Sequence, residues 1–359
     1  MKKVIFYTEC PDKNYYISLY TFAKNNDIKI IMQDSRFIYL TSIYLNNNFS
    51  IIRKLREILT GNGNIINYNV KLKDILSSLL APFKIIFKYK TVITGFAPYS
   101  SSAYFLFLLK LLGKDIIYET SWSYWGDYSR YVHNPKCSKL IWKLFLNNTK
   151  VVAYTYASKN SLDKFNPNIY VISHSIDASL FHKKKSKKLT VLYVGRLMEE
   201  KGIKDLLAVA KSLKDINFIF VGKGPLEHLF KKTPSNVNYL GFIKDKQKLA
   251  DIYSSSDIFV LNSYKTKSWE EWFGIVLLEA MAATLAIITT DCTGPKEVIQ
   301  NNVNGLIINQ KNKDQLKEAI EKLAKDKELL TKLSKNAKES SKNYDVKEVS
   351  KLWKYVFNS

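Results

Sequence analysis

Cysteine is almost missing from this chain of 359 residues: Cys10, Cys137 and Cys292 are the only three. Their odd number, wide separation and lack of ligand spacing exclude a disulfide framework and a zinc site, and they fit a reducing cytosol. Each reads most simply as a small buried hydrophobe. Histidine is equally scarce. His133, His174, His182 and His228 are scattered without metal spacing, so no catalytic role and no metal falls to them. Long hydrophobic runs are lacking too, because Lys or Arg interrupts every apolar stretch before it reaches spanning length. The opening MKKVIFYTE reads as a strand entering a turn, since it lacks the apolar core and small-residue cleavage site of a signal peptide.

Acidic side chains are in short supply: Lys and Arg number 55 against 32 Asp and Glu, a formal net charge of +23. Basic residues exceed acidic ones in both halves, so the excess is not one tail. It is densest from 28 to 114, which holds twelve basic and three acidic side chains. Within it, KLKDILSSLLAPFKIIFKYK (71–90) alternates apolar patches with lysines. One reading is a basic amphipathic surface lying on an anionic membrane, each nearby cation contributing about 1 kcal/mol. The other is an ordinary helix with Leu72, Ile75, Leu76 and Leu79 on the core and solvated lysines, ended by Pro82. The preference for Lys, Asn and Ile also fits an AT-rich genome, which weakens any functional reading of the charge.

What is present is enough for two cores: 46% of residues are hydrophobic. In the first half, VIFYTE, IKIIMQD, TVITGF, DIIYET and KVVAYT are short β-rich runs separated by helical stretches. Such alternation predicts a doubly wound parallel sheet. The apolar segment 101–112 predicts a helix buried all round. After DIIYET comes the loop Ser121-Trp122-Ser123-Tyr124-Trp125-Gly126, at the carboxyl end of a strand, where open α/β sheets bind ligands. With Glu119 it forms an acceptor-side candidate of Glu119, Ser121 and Trp122. The alternative is a pair of tryptophans that anchor the loop on the core.

The stretch Glu270–Ala283, EEWFGIVLLEAMAA, organises the second half. Glu271 and Glu279 stand eight residues apart, with the turn Phe273-Gly274 after the first and an apolar helix carrying the second. Gly274 lets the backbone approach a ligand, and the amides of Ile275 and Val276 head a helix whose N-terminus favours an anion. A carboxylate inside so apolar a run needs a hydrogen-bond partner, and vicinal ribose hydroxyls would serve. A capping Glu271 and a Glu279 paired inside the core is the plain alternative. Upstream, the strand-like LTVLYVGRL leads into Gly195-Arg196, then Lys201-Gly202, then a helix start. Arg196 gives a planar fork and Lys201 a point charge, together suited to a diphosphate leaving group.

The spacing G-R-x4-K-G followed by E-x7-E resembles the retaining GT-B glycosyltransferases, specifically glycosyltransferase family 4, the group 1 glycosyl transferases. INFIFVGKGP (216–225), VNYLGFI (237–243), DIYSSSDIFVLNS (251–263) and TDCTGPKEVIQNNVNGLII (290–308) look like that family's successive strands and turns. The resemblance covers roughly 171–310, and the preceding half only loosely. It implies an α/β GT-B fold, two Rossmann-like doubly wound parallel-sheet domains facing across a cleft. Residues 1–175 form the acceptor-side domain, joined by the C-terminal helix 344–359, and 176–343 the donor-binding domain. His174-Ser175 stand in the linker where Asn-Gly is common in the family.

The resemblance further implies a nucleotide sugar, linked to UDP or GDP, as donor, and a glycan or lipid-linked acceptor in cell-surface polysaccharide or glycolipid synthesis. Glu271 would touch donor-sugar hydroxyls and Glu279 the ribose. Backbone groups near Gly222, Gly224 and Gly241 would read the base. With Arg196, Lys201 and the amides after Gly274 to receive the diphosphate charge, no metal is required, and no Asp-x-Asp motif occurs. No nucleophile is assigned. The expected place is the cytoplasm, peripheral on the inner membrane face.

Two departures stand out. Many members carry a histidine where this chain has Glu119, Thr120 and Ser121. The helix usually continues A-M-A-x-G-x-P-V-I, whereas here Thr284 and Ala286 replace Gly and Pro, so Thr284 is expected in an altered or strained turn. Only the register with Phe273-Gly274 separates Glu271 from Glu270. Two other classes compete: a GT-B nucleotide-sugar epimerase, which would convert the donor without an acceptor, and a basic nucleic-acid-binding protein, motivated by charge alone and lacking a recognised module.

Overall fold

The computed structural model describes residues 1–8, 12–35, 72–100, 102–127, 139–184, 188–267 and 269–359. Cys10, Cys137, His133, the middle of the KKKSKK loop and the side chains of Leu72, Ile75, Leu76 and Leu79 lie outside them. The chain divides into two units, Met1–Ile172 with Leu352–Ser359, and Ser173–Lys351.

The first unit holds six parallel strands, β1 (Lys2–Thr8), β2 (Ile28–Asp34), β3 (Thr91–Thr94), β4 (Asp115–Thr120), β5 (Lys150–Ala153) and β6 (Ile169–Val171). Their order is β2-β1-β3-β4-β5-β6. The helices are α1 (Ile17–Asn25), α2 (Leu72–Lys88), α3 (Ser102–Leu111), α4 (Lys139–Leu146) and α5 (Tyr156–Leu162). Side chains alternate across a strand. Ile5, Tyr7, Val92, Ile116, Tyr118 and Val151 therefore share one face, where Ala81 and Ile85 of α2, Leu106 of α3, Trp142 of α4 and Leu162 of α5 join them in one core. On the alternate positions, Phe6 meets the edge of Tyr16, ring centroids 4.5 Å apart. The buried Trp353 of the last helix donates its indole N–H to Ser18 at 3.2 Å.

Two expectations need correction. Pro82 does not end its element: α2 runs through it from Leu72 to Lys88. An internal proline costs about 3 kcal/mol, while each large apolar side chain buried against a sheet returns about 1.5–3 kcal/mol. Ala81 and Ile85, both fully buried, flank it. Nor is α3 buried all round. Ala103, Leu106 and Leu109 face the core, but Tyr104, Leu108 and Leu111 are exposed, because only one layer of sheet lies beneath the helix.

The second unit repeats the plan with β7 (Thr190–Val194), β8 (Asn217–Val221), β9 (Val237–Tyr239), β10 (Ile258–Leu261), β11 (Ala286–Thr290) and β12 (Leu306–Ile308). They are parallel in the order β12-β11-β10-β7-β8-β9. Helices are α6 (Ile203–Ser212), α7 (Lys246–Ser254), α8 (Ile275–Ala282), α9 (Thr293–Val298), α10 (Lys313–Lys325), α11 (Lys327–Ser341) and α12 (Val346–Asn358). One core joins α6 and α10 to Tyr193, Phe220 and Val260, and the other joins α7 and α8 to Leu192, Phe259 and Ile287. Helices thus cover both faces, as parallel sheets require. Helix α12 starts in the second unit and ends in the first. Among the described residues no helix is long and apolar enough to cross a membrane.

Candidate donor-binding site

The site is built at the carboxyl ends of β7, β8 and β10, at the sheet edge where open α/β folds place their ligands. After β7 the chain turns through Gly195 and the exposed Arg196 into a short 3-10 turn, Glu199–Lys201. Gly202 follows with φ 65° and heads α6. A Cβ there would lie 2.1 Å from the Asn262 carbonyl oxygen, so only glycine fits beside the end of β10. Asn262 in turn donates its amide to the Gly202 carbonyl at 3.3 Å. This lock aims the buried Lys201 inward.

Lys201 meets Glu271 there. The ammonium forms an ion pair with the Glu271 carboxylate, and Ser263 donates to that carboxylate at 3.1 Å. The same ammonium sits 4.8 Å from the centre of the Trp269 ring. Both partners are almost fully buried, so the pair needs these further contacts to hold. The two charged residues named from distant motifs are therefore in direct contact, 70 positions apart in the chain.

The neighbouring acid has another task. Glu270 accepts the Thr293 amide at 2.8 Å, at the start of α9, and pairs with Lys265 at 3.2 Å. It fastens the loop to the next helix, which leaves Glu271 as the acid on Lys201. Gly274, φ 82°, then opens α8, whose first amides, Ile275 and Val276, have no carbonyl one turn back to bond. Phe273 is buried, its ring edge-on to His174 at 5.0 Å, so its side chain anchors the turn.

Glu279 lies one turn on, partly buried in α8. Tyr253 of α7 donates its hydroxyl to the carboxylate at 2.7 Å. Burial raises the Glu279 pKa, opposed by that hydrogen bond and by Lys246. At the glycine-rich turns, Gly222 has φ 142° and a Cβ there would stand 1.8 Å from the Gly195 carbonyl oxygen. Gly224 is hemmed in likewise, 2.5 Å from the Leu197 carbonyl oxygen. The loops after β7 and β8 thus touch backbone to backbone. Gly241, φ 67°, accepts the Gly222 amide at 2.9 Å and has open space around it.

Thr284 adopts φ 65°, the left-handed conformation expected from the missing glycine, as α8 ends. Cys292 is fully buried, and burial pushes its thiol up to about 11.

In the first unit, Glu119 ends β4, buried, and accepts hydrogen bonds from Tyr154 and Tyr16. Burial raises its carboxyl to about 7 against the pull of those two hydroxyls. A Cβ on Gly95 at the end of β3 would stand 2.6 Å from its carboxyl oxygen, so glycine makes room for it. The two tryptophans of the following loop divide their tasks. Trp125 is buried among Tyr99, Tyr118 and Trp142, whereas Trp122 and Ser121 are half-exposed, Trp122 standing edge-on to Tyr124 at 5.8 Å. Sequence reasoning missed Ser263, Asn262 and Tyr253, since their part comes from strand ends and a neighbouring helix. Trp269, directly before the acid pair, carried the one local signal.

Residues 177–340, nearly all of the second unit, match the family described as "Glycosyl transferases group 1". Among curated relatives is the N,N'-diacetylbacillosaminyl-diphospho-undecaprenol alpha-1,3-N-acetylgalactosaminyltransferase of Campylobacter jejuni, 34% identical over 220 residues, covering 59% of this chain and 55% of the relative. The chain spans about half the length of the curated relatives it matches. Two solved structures share the fold over the whole chain. Sucrose-phosphate synthase from Thermosynechococcus elongatus has a TM-score of 0.71 at 16% identity, with 98% of its own chain covered. Anabaena Alr3699/HepE in complex with UDP-glucose has 0.68 at 15%, with 100% covered. The fold is thus the GT-B one of two Rossmann-like units.

Proposed function

We propose that this protein is a retaining glycosyltransferase of family 4 that moves a sugar from a UDP- or GDP-linked donor to a glycan or lipid-linked acceptor in cell-surface polysaccharide or glycolipid synthesis. The observation that carries the reading is the buried Lys201–Glu271 pair beside the α8 N-terminus. It sets a cation and helix amides next to a hydroxyl-accepting carboxylate. A nucleotide sugar presents a diphosphate and a hydroxylated ring in the same order. The group 1 domain match supports the activity, and the UDP-glucose bound by HepE and the lipid-diphosphate in the Campylobacter relative's name support the donor and acceptor classes.

The chemistry follows from charge. As the bond between the anomeric carbon and the phosphate oxygen breaks, negative charge grows on the diphosphate, and Arg196, Lys201 and the Ile275 and Val276 amides receive it without a metal. The acceptor hydroxyl attacks from the face the phosphate leaves, its proton passes to the departing phosphate oxygen, and the configuration is retained. Glu271 holds sugar hydroxyls, Glu279 the ribose, and Gly222, Gly224 and Gly241 let backbone groups reach the base. Glu119, Ser121 and Trp122 serve the acceptor, and the enzyme works at the cytoplasmic face of a membrane.

Calorimetric titration with UDP, GDP and ADP, on wild type and Glu279→Ala, tests this. Tight binding of one nucleotide, weakened about tenfold or more by the substitution, is expected from the loss of one charge-assisted hydrogen bond. Absence of binding by all three would refute the reading.

A further inference from the structure

Eight of the seventeen exposed large apolar side chains among the described residues sit on three helices of the first unit. On α2 they are Leu80, Phe83 and Phe87, 53%, 62% and 80% exposed, a stripe at helical spacing. On α3, Tyr104, Leu108 and Leu111 continue the pattern, and on α4 Leu140 and Leu144 do. The inward faces of all three helices meet in the same core on the same side of the first sheet, so these stripes lie on its outer surface.

Two lysines tie the layer together. Lys110 near the end of α3 donates to the carbonyls of Leu144 and Phe145 at the end of α4, at 3.2 and 3.0 Å. Lys114, just beyond α3, donates to the carbonyl of Tyr89, just beyond α2, at 2.9 Å. Their charges are spent on helix ends. Lys84, Lys88, Lys90 and Lys143 remain around the apolar stripes. No Asp or Glu occurs from 80 to 114 or from 139 to 150. The nearest, Asp115, is paired to Lys150 at 3.1 Å.

An apolar surface of this kind marks an interaction site, and its charge chooses the partner. A second copy of the chain would bring lysines against lysines. A bilayer of anionic lipid offers phosphates for the ammonium groups and acyl chains for Phe83 and Phe87. We propose that the outer face of α2, α3 and α4 is an interfacial docking surface for anionic lipid, the two phenylalanines inserting below the headgroups. The purpose of the surface rests on the lipid-linked acceptor proposed above, whereas its test does not.

Flotation of the full chain with phosphatidylcholine vesicles, with and without phosphatidylglycerol, decides it. Wild type is expected to float with the anionic vesicles and poorly with the neutral ones. Phe83→Ser with Phe87→Ser is expected to weaken partition about 100-fold, and Leu111→Ser on the neighbouring helix about tenfold. The melting temperature and the binding of UDP should stay unchanged, because these side chains are exposed and lie outside the donor-binding unit. No flotation of wild type overturns the proposal, as does flotation that the double substitution leaves intact. So does self-association, without vesicles, that the same substitutions abolish. Failure of the nucleotide titration leaves the flotation result standing, so the two readings fall separately.

Discussion

Replacing Glu119 by Gln should stabilise the protein, and by an amount that depends on pH. The folded carboxyl titrates at about 7, raised by burial, while in the unfolded chain it returns to about 4.3. A group whose folded pKa is raised binds more protons folded than unfolded, so it lowers stability as pH rises between the two values. Below about 4.3 the wild type bears no penalty. Above about 7 it bears all of it, about 3–4 kcal/mol. Glutamine keeps the shape and an oxygen for Tyr154 and Tyr16, yet never ionises. Scanning calorimetry of wild type and Glu119→Gln from pH 4 to pH 8.5 should therefore show two curves that nearly meet at acid pH and diverge with rising pH. At about 2–4 °C per kcal/mol for a unit of this size, the variant should melt roughly 6–16 °C higher at alkaline pH. Other titrating groups cancel in the difference. Parallel curves, or a variant less stable above pH 7, would show that Glu119 is ionised and satisfied in the fold and would refute the argument.

Two further substitutions test the donor unit. Thr284→Gly should raise stability by about 1 kcal/mol, since φ 65° costs a threonine about 1–2 kcal/mol and glycine returns part of that in entropy; a lower urea midpoint for the variant would contradict the strain. Gly222→Ala should cost about 3 kcal/mol or more and abolish nucleotide binding, because the added carbon falls on the Gly195 carbonyl and parts the loops after β7 and β8; an unchanged titration would mean that those loops do not shape the site.

Local signals made much of this legible. Short β-runs such as VIFYTE and DIIYET became β1 and β4 because a short, continuous apolar run rich in β-branched and aromatic residues suits a strand buried on both faces, and G-R-x4-K-G marked the Lys201 turn because glycine is sparse. Contacts between distant segments were not legible. Tyr253 serves Glu279 from another helix, and Glu119 is held by tyrosines 35 residues on and in the first helical turn of the chain. The division between Glu270 and Glu271 also needed coordinates, since one residue of register sends one acid to Thr293 and the other to Lys201. For α3, an all-apolar composition carries no periodic signal, so its exposed side was invisible.

The path of α12 carries a consequence for synthesis. Trp353 and Val356 are buried parts of the first unit's core, although they are made after the whole second unit. Domains ordinarily fold as they emerge from the ribosome, in the order of the message. Here the unit begun first waits with an unsealed face while the whole second unit is translated, and it closes only when the last turns of α12 leave the exit tunnel.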